Sequence, residues 1–550
     1  MQWRWWLAPH MDLPAAPCHT WASSAGTVRR LRGNAAPHEI LVLSSPRLLA
    51  PIERLIDALC DPARRIRAMF GLAVVYALAW TLYAVIAKST QDINTDMAEL
   101  VVWTRELALG YPKHPPFTVW LIKAWFAVFP LTDWAYYLLA GLMLGASLLL
   151  AFLLAGEWLQ GEKRAAVPFL LALIPFYNFL GLKFDHNTAL IPLWGLTLWA
   201  FMRSYDTRHI GWAVLAGLAA AASILTKYWS VLLLASMFIA ALVDRRRNAY
   251  FRSPAPWITG ALFVVAIEPH AVWLVREGFQ PFTYVATKRA ALTVVEWLHS
   301  LVEFSAGTFG YASPALLLGL YLGRPSLAAI RESWLPRDNE RRTAAILFWA
   351  PLLLAFLAAA LTRTVLLSLW NTPALNLLPV MMLSSPLVVL ARERVVRAAT
   401  VAAIFTALAL IASPLVAAAV LELGVENHAA YGRLIAAELE REWKQVTDKP
   451  LRLLAGPFYL ANTTAFYIGD RPSTYADFSS YLSPWVDARR IVRQGIAIAC
   501  PVDDRDCLVD LDKIVSQGLP GRRTEVELTR HWLGLAGAPR RFVIAVVPPL

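Results

Sequence analysis

Eleven stretches of mostly apolar residues recur along the chain, at 68–87, 134–156, 166–182, 188–202, 211–226, 228–243, 257–275, 302–323, 343–361, 366–390 and 396–420. A helix of roughly 20 such residues crosses the hydrocarbon core of a bilayer. A chain that carries so many folds in lipid, because no water-facing core hides that much apolar surface. The composition agrees: of 550 residues, 58% are hydrophobic and 16% charged, against about half and a quarter in soluble domains. The same figures exclude a disordered chain, and a total of four Cys excludes a disulfide-knotted secreted module. The expected fold class is an all-α polytopic membrane bundle.

The net charge of +12 would suit nucleic acid in a soluble protein. Here basic loops that orient helices account for it, and no nucleic-acid partner is expected. With the N-terminus cytoplasmic, one set of loops carries Lys163, Arg164, Arg203 and Arg208, then Arg245–Arg247 and Arg252. The same set goes on to Arg324, Arg331, Arg337, Arg341, Arg342, Arg392, Arg394 and Arg397. The longer opposite loops carry fewer. This asymmetry has the sign of the positive-inside rule and predicts a cytoplasmic N-terminus and an outer C-terminus. Merging 211–243 into one span would put Arg245–Arg247 outside, so two spans are kept.

Two pieces flank the bundle of 68–422. Residues 1–67 mix Trp, Pro and Arg without periodicity and read as a poorly ordered cytoplasmic extension rather than a signal peptide. Residues 423–550 carry more charge, turn signals such as Gly456-Pro457, and β-like runs at Leu451–Leu454 and Phe542–Val547. They predict a small α/β domain on the outer side. Cys500 and Cys507 fall in it, where a disulfide could persist.

Ionisable residues at membrane depth are costly and mark function. The first outer loop, 88–133, holds Asp96 and Glu99, three apart and so on one face of a helix. Thr95 is placed to cap that helix, which should run to Leu109 before Gly110 and Pro112 end it. Lys113-His114-Pro115-Pro116 then leads into an aromatic stretch, Phe117–Pro130, suited to the membrane interface. The same outer side receives Lys183 with Asp185-His186-Asn187, then Lys227, then His270. Taken singly, Asp185-His186-Asn187 fits a plain turn and Lys227 a snorkelling side chain. A structural cause would scatter such groups over both faces, however, and they gather on one.

Carboxylates beside cations at an outer membrane face, with no phosphate-cradling GxxxxGK[ST] loop and no HExxH, suit a lipid-phosphate-activated donor. Cations would hold the phosphate and stabilise it as it leaves, and a carboxylate would deprotonate an acceptor hydroxyl. Lys288 and Arg289 are added as donor-phosphate candidates from position alone.

These residues resemble the polyprenyl-phosphate-dependent membrane glycosyltransferases of the GT-C class. That class includes the protein O-mannosyltransferases, the lipid A aminoarabinose transferase and the galacturonosyl transferases of lipopolysaccharide core. The resemblance covers about 68–300. It implies that Asp96 is the catalytic base, with Glu99 near it, and that Arg105-Glu106 match the Arg-Glu that follows the catalytic residue. It sets Lys113 or His114 at a lysine position beside the prolines, and Lys227 in a Leu-Thr-Lys segment. Arg105, Glu106, Asp185, His186, Asn187 and His270 are then expected at the substrate, and Lys113, His114, Lys227, Lys288 and Arg289 at the donor phosphate. A divalent metal ion at Asp96 and Glu99 stays open. The implied activity is inverting transfer of a sugar from a polyprenyl-phosphate donor to a lipid, glycan or protein acceptor at a bacterial inner membrane. The alternative is a membrane transporter or lipid-linked sugar flippase. Such folds usually pair repeats and hold their charges near the midplane.

Overall fold

The computed structural model describes residues 46–287, 293–362, 365, 367–424, 431–516 and 521–550. Helix α1 (Pro46–Cys60) precedes α2 (Arg65–Ala87), and α3 (Thr95–Trp103) and α4 (Phe117–Val128) occupy the first outer loop. The bundle continues through α5 (Asp133–Ala155), α6 (Gly161–Leu171), α7 (His186–Thr207), α8 (Ile210–Thr226), α9 (Val231–Val243), α10 (Arg247–Phe251) and α11 (Ala255–Arg276). After α12 (Gln280–Thr287) come α13 (Val294–Gly323), α14 (Leu327–Trp334), α15 (Asn339–Thr362), α16 (Leu378–Leu383) and α17 (Arg392–Leu423). Of these, α2, α5, α11, α15 and α17 are the 5 that are long and apolar enough to cross a membrane.

Helix α2 is apolar all round because its two sides meet different solvents. Ala73, Ala77, Trp80 and Ala84 are buried in the bundle, whereas Phe70, Val74, Leu78 and Leu82 are exposed. Its partner α5 approaches closely through Gly141 and Gly145, four apart on one face. A Cβ on either would stand 2.5 Å from the carbonyl oxygen of Ala77 or Ala73.

Two of the eleven expected spans are not continuous helices. Over 166–182 the chain leaves α6 at Leu171 and continues in 3₁₀ turns at Pro175–Tyr177 and Leu180–Leu182. Over 366–390 a 3₁₀ run, Ser368–Leu377, precedes the short α16. Pro175, Pro373 and Pro379 lack the N–H that an α-helix interior requires. Irregular backbone is tolerated at depth where protein covers it and side chains satisfy it. The Tyr76 hydroxyl donates to the Tyr177 carbonyl at 2.8 Å, and Asn178 Nδ2 donates to Ala172 and Ile174 carbonyls at 2.9 and 3.0 Å. The Tyr177 hydroxyl donates to Asn376 Oδ1 at 2.8 Å, joining the two broken segments.

The expectation of an unstructured 1–67 also needs correction. Residues 46–60 form α1, whose Ile52, Leu55, Ile56 and Leu59 recur at helical spacing and pack on the bundle. Residues 1–45 lie outside the described residues.

The C-terminal domain, expected on the outer side, is α/β, as its turn signals and β-like runs predict. Its strands are β1 (Leu453–Gly456), β2 (Ser473–Ala476), β3 (Ile496–Pro501), β4 (Arg522–Leu528), β5 (His531–Trp532), β6 (Leu535–Ala536) and β7 (Arg540–Val547). The main sheet runs β2-β1-β3-β7-β4, with β1 parallel to β2 and β3, and β7 antiparallel to β3 and β4. Every residue of β3 is buried, which explains why its sequence is a continuous apolar run rather than an alternation. Helices α18 (Gly432–Val446), α19 (Phe458–Tyr467), α20 (Ala488–Gln494) and α21 (Arg505–Val515) pack around the sheet. A disulfide between Cys500 and Cys507 ties the end of β3 to α21.

Candidate functional site

The first outer loop is built into both halves of the molecule. The cap of α3 is Asn94, not Thr95: the Asn94 side chain accepts from the Asp96 N–H at 3.0 Å. The helix ends at Trp103 rather than Leu109, and Tyr111 stacks on Trp103 with ring centres 4.9 Å apart. On one side of α3, Val102 lies in the core of the outer domain with Ile435 and Leu439. On the other, Met97, Ala98 and Val101 join the core of the bundle.

This wedge presents Asp96 and Glu99 to cations from other elements. Asp96 is half-exposed and pairs with Lys183, just ahead of α7. Glu99 is buried and accepts from Lys113 Nζ at 2.7 Å. Burial pushes the Glu99 carboxyl above its ordinary value, and Lys113 opposes that shift. The Lys113 ammonium also sits 3.9 Å from the centre of the Phe458 ring, a cation–π contact supplied by the outer domain.

Lys227 caps the end of α8, where its Nζ donates to Asn187 Oδ1 at 2.6 Å and lies 4.4 Å from the Trp370 ring. Burial lowers its pKa to about 7, against the pull of Asp185. Asp185 itself is spent on capping α7: it accepts from the backbone N–H groups of Asn187 and Thr188 at 2.8 and 3.1 Å. His114 and His186 stack with ring centres 3.9 Å apart. Burial, then the neighbouring His186, Lys227 and Lys113, hold His114 neutral well below the ordinary histidine range. His186 Nδ1 lies 3.0 Å from the Thr226 carbonyl and 2.9 Å from Thr118 Oγ1.

His270 closes one edge. Its Nδ1 donates to the Leu109 carbonyl at 2.6 Å, leaving Nε2 to accept from the Tyr228 hydroxyl at 3.0 Å. Gly110 permits this approach, because a Cβ there would stand 2.2 Å from the Trp273 ring.

The structure therefore gathers Asp96, Glu99, Lys113, His114, Asp185, His186, Asn187 and Lys227 into one cluster, with His270 at its rim. Arg105 and Glu106 turn instead to the outer domain. Glu106 Oε1 accepts from Ser473 Oγ at 2.6 Å and pairs with Arg490 at 2.8 Å. Burial, then Arg471 and Arg452, lowers the Arg105 guanidinium to about 9. Lys288 and Arg289 lie outside the described residues. Among the described residues, no group of three or more His, Cys, Asp or Glu converges to hold a metal ion. Lys183 is the partner that the sequence placed in the right stretch without a role. Phe458 and Trp370 carried no local signal, being aromatic residues in otherwise apolar segments.

A bundle with this irregular interior, a wedge helix in its first outer loop and an α/β outer domain is a GT-C membrane fold. It aligns with the crystal structure of ArnT from Cupriavidus metallidurans bound to undecaprenyl phosphate, with a TM-score of 0.57 over 86% of this chain and 98% of that one, at 15% identity. The sequence matches the family model described as dolichyl-phosphate-mannose-protein mannosyltransferase over residues 113–273. It is also similar to two Rhizobium johnstonii proteins named lipopolysaccharide core galacturonosyltransferase. RgtA is 32% identical over 208 residues, which is 37% of this chain and 40% of that protein. RgtB is 28% identical over 188 residues, 34% and 38%. The matched part spans about two fifths of the length of either relative.

Proposed function

We propose that the chain is an integral-membrane glycosyltransferase that moves a sugar from a polyprenyl-phosphate donor to a lipid, glycan or protein hydroxyl at the extracytoplasmic face. The observation that carries this reading is the pairing of a half-exposed carboxylate, Asp96, with Lys183, in one cluster with Lys113 on Glu99 and Lys227 on Asn187 from separate parts of the chain. The names of the similar proteins supply the substrate class, sugars carried on or toward lipids. The domain division assigned is a bundle over 68–422 with its catalytic loop at 88–133, and a periplasmic domain over 423–550.

In this reading Lys113, Lys227 and His114 hold the donor phosphate, and the charge that grows on it during bond cleavage meets ammonium groups already in place. Asp96 takes the proton from the acceptor hydroxyl as that oxygen attacks the anomeric carbon. One displacement opposite the leaving phosphate inverts the centre. Lys183 holds the Asp96 carboxylate in an ion pair and so orients it. The Cys500–Cys507 disulfide supports an extracytoplasmic outer domain, and the basic loops on the opposite side support a cytoplasmic N-terminus.

The test is transfer from a panel of labelled polyprenyl-phosphate sugars in membranes, wild type against Asp96→Asn at matched expression. A loss of about a hundredfold or more is expected for removal of a general base. Equal transfer by both would take Asp96 out of the mechanism.

A further inference from the structure

A second cleft, of about 420 Å³, opens at the outer ends of α2 and α5, lined by Lys88, Ser89, Asp133, Trp134, Arg433 and Tyr467 among others. Most of its charge is balanced internally. Arg433 pairs with Asp133, and the Tyr467 hydroxyl donates to Asp133 Oδ2 at 3.2 Å. Lys88 is the exception: among the described residues its ammonium has no acceptor and no counter-charge. Burial lowers its pKa, and the neighbouring Lys183 ammonium adds to the effect. A partly buried cation with a like charge beside it is stabilised by an anion.

The surroundings say what kind of anion. Phe70, Val74, Leu78, Leu82 and Val85 are exposed at helical spacing along one face of α2. That stripe runs nearly the length of the span to the mouth of the cleft, where Val85 and the 46%-exposed Trp134 form the rim. In a bilayer such a face meets acyl chains, and a tryptophan at a span end sits at headgroup level. An occupant matching both features has a long apolar chain below and a negative head above.

We propose that this cleft binds the headgroup of an anionic lipid, held by Lys88 and the outward guanidinium edge of Arg433, with its chains along the exposed face of α2. The site is separate from the Lys113 and Lys227 cluster assigned to the donor. It is nonetheless linked to it electrostatically: an anion on Lys88 relieves its repulsion of Lys183, the residue that holds Asp96.

The experiment uses the full chain in nanodiscs, with phosphatidylglycerol or phosphatidylcholine brominated near the top of the acyl chain. The Trp134 signal is the fluorescence difference between wild type and Trp134→Phe. Phosphatidylglycerol should quench it at a lower mole fraction than phosphatidylcholine. Lys88→Gln should raise that fraction about fivefold, the weight of one basic residue at an anionic surface, and Lys88→Arg should restore it. Ser89→Glu, at an exposed position beside Lys88, should also abolish the preference and decides the matter if Lys88→Gln fails to fold. Equal quenching by both lipids in the wild type overturns the proposal, as does a preference that survives Lys88→Gln or Ser89→Glu. Release of phosphatidylglycerol by millimolar inorganic phosphate overturns the lipid assignment and leaves a free-phosphate site. No transfer reaction enters the readout, so the result does not depend on the enzymatic reading.

Discussion

Lys113 Nζ lies 2.7 Å from Glu99 Oε1 and 3.9 Å from the centre of the Phe458 ring, so one ammonium joins the first outer loop to the outer domain. The contact fixes the lysine before any ligand arrives, and a donor phosphate has to draw it away from Glu99. Lys113→Met should weaken binding of undecaprenyl phosphate roughly 10- to 100-fold, the worth of a charged hydrogen bond of about 1.5–3 kcal/mol. Glu99→Gln removes the competing carboxylate and should tighten it. Titration of the purified protein in detergent separates the two. Weakening by Glu99→Gln as large as that by Lys113→Met would mean that phosphate does not compete for this lysine.

The pH dependence of donor binding should come from Lys227. Burial sets its pKa at about 7 in the free protein, so the ammonium is present below that pH and lost above it. A bound phosphate favours the charged form. Affinity for undecaprenyl phosphate should therefore be highest below about pH 7. It should then fall by up to about tenfold per pH unit as pH rises, since binding has to supply the missing proton. Lys227→Arg keeps its charge throughout and should flatten the profile between about pH 7 and 9. Parallel profiles for the two proteins would assign the titration to another group.

The bundle was legible in the sequence because lipid demands uninterrupted apolar length, and apart from 166–182 and 366–390 the stretches follow single helices to within a residue, 228–243 after a 3₁₀ first turn. The two exceptions were misread because hydropathy does not register helix continuity. Pro175, Pro373 and Pro379 break the α-helix, while Tyr76 and Asn178 re-satisfy the backbone from positions that no local pattern connects. The site was legible to the extent that topology assembles it. Asp96 and Glu99 lie on α3, Lys113 between α3 and α4, and Lys227 at the end of α8, stretches that the expected alternation of spans sends to one face. What stayed hidden was pairing. Asp185, expected at the substrate, is engaged as the cap of α7, and Glu106 reaches the outer domain instead of the cluster. The Phe458 contact depends on how that domain docks, which its composition does not encode.

The Glu106–Arg490 pair should report that docking. Both side chains are largely buried, and Ser473 Oγ donates to the same carboxylate oxygen. A double-mutant cycle of Glu106→Ala and Arg490→Ala, read by thermal unfolding, should give a coupling of about 1–3 kcal/mol. Proteolysis within the first outer loop should speed up in each single variant. Strict additivity of the two substitutions would reduce the pair to a surface contact.

The close approach of α5 to α2 sets a sharp test of the fold. Gly141 lets α5 lie against the backbone of α2, with a would-be Cβ 2.5 Å from the Ala77 carbonyl oxygen and 2.3 Å from Thr81 Oγ1. Backbone cannot yield as a flexible side chain can, so Gly141→Val has to separate the two helices. Overpacking of this kind costs about 1–3 kcal/mol. Because α2 carries the loop that ends in Asp96 and Lys113, the displacement should also reach the site and weaken donor binding. Gly71 provides the control: it lies on the same α2, has nothing within 4 Å of its would-be Cβ, and Gly71→Ala should raise stability slightly through helix propensity. Thermal unfolding of the two variants in one detergent decides the point, since equal melting temperatures would mean that α2 and α5 do not meet through Gly141.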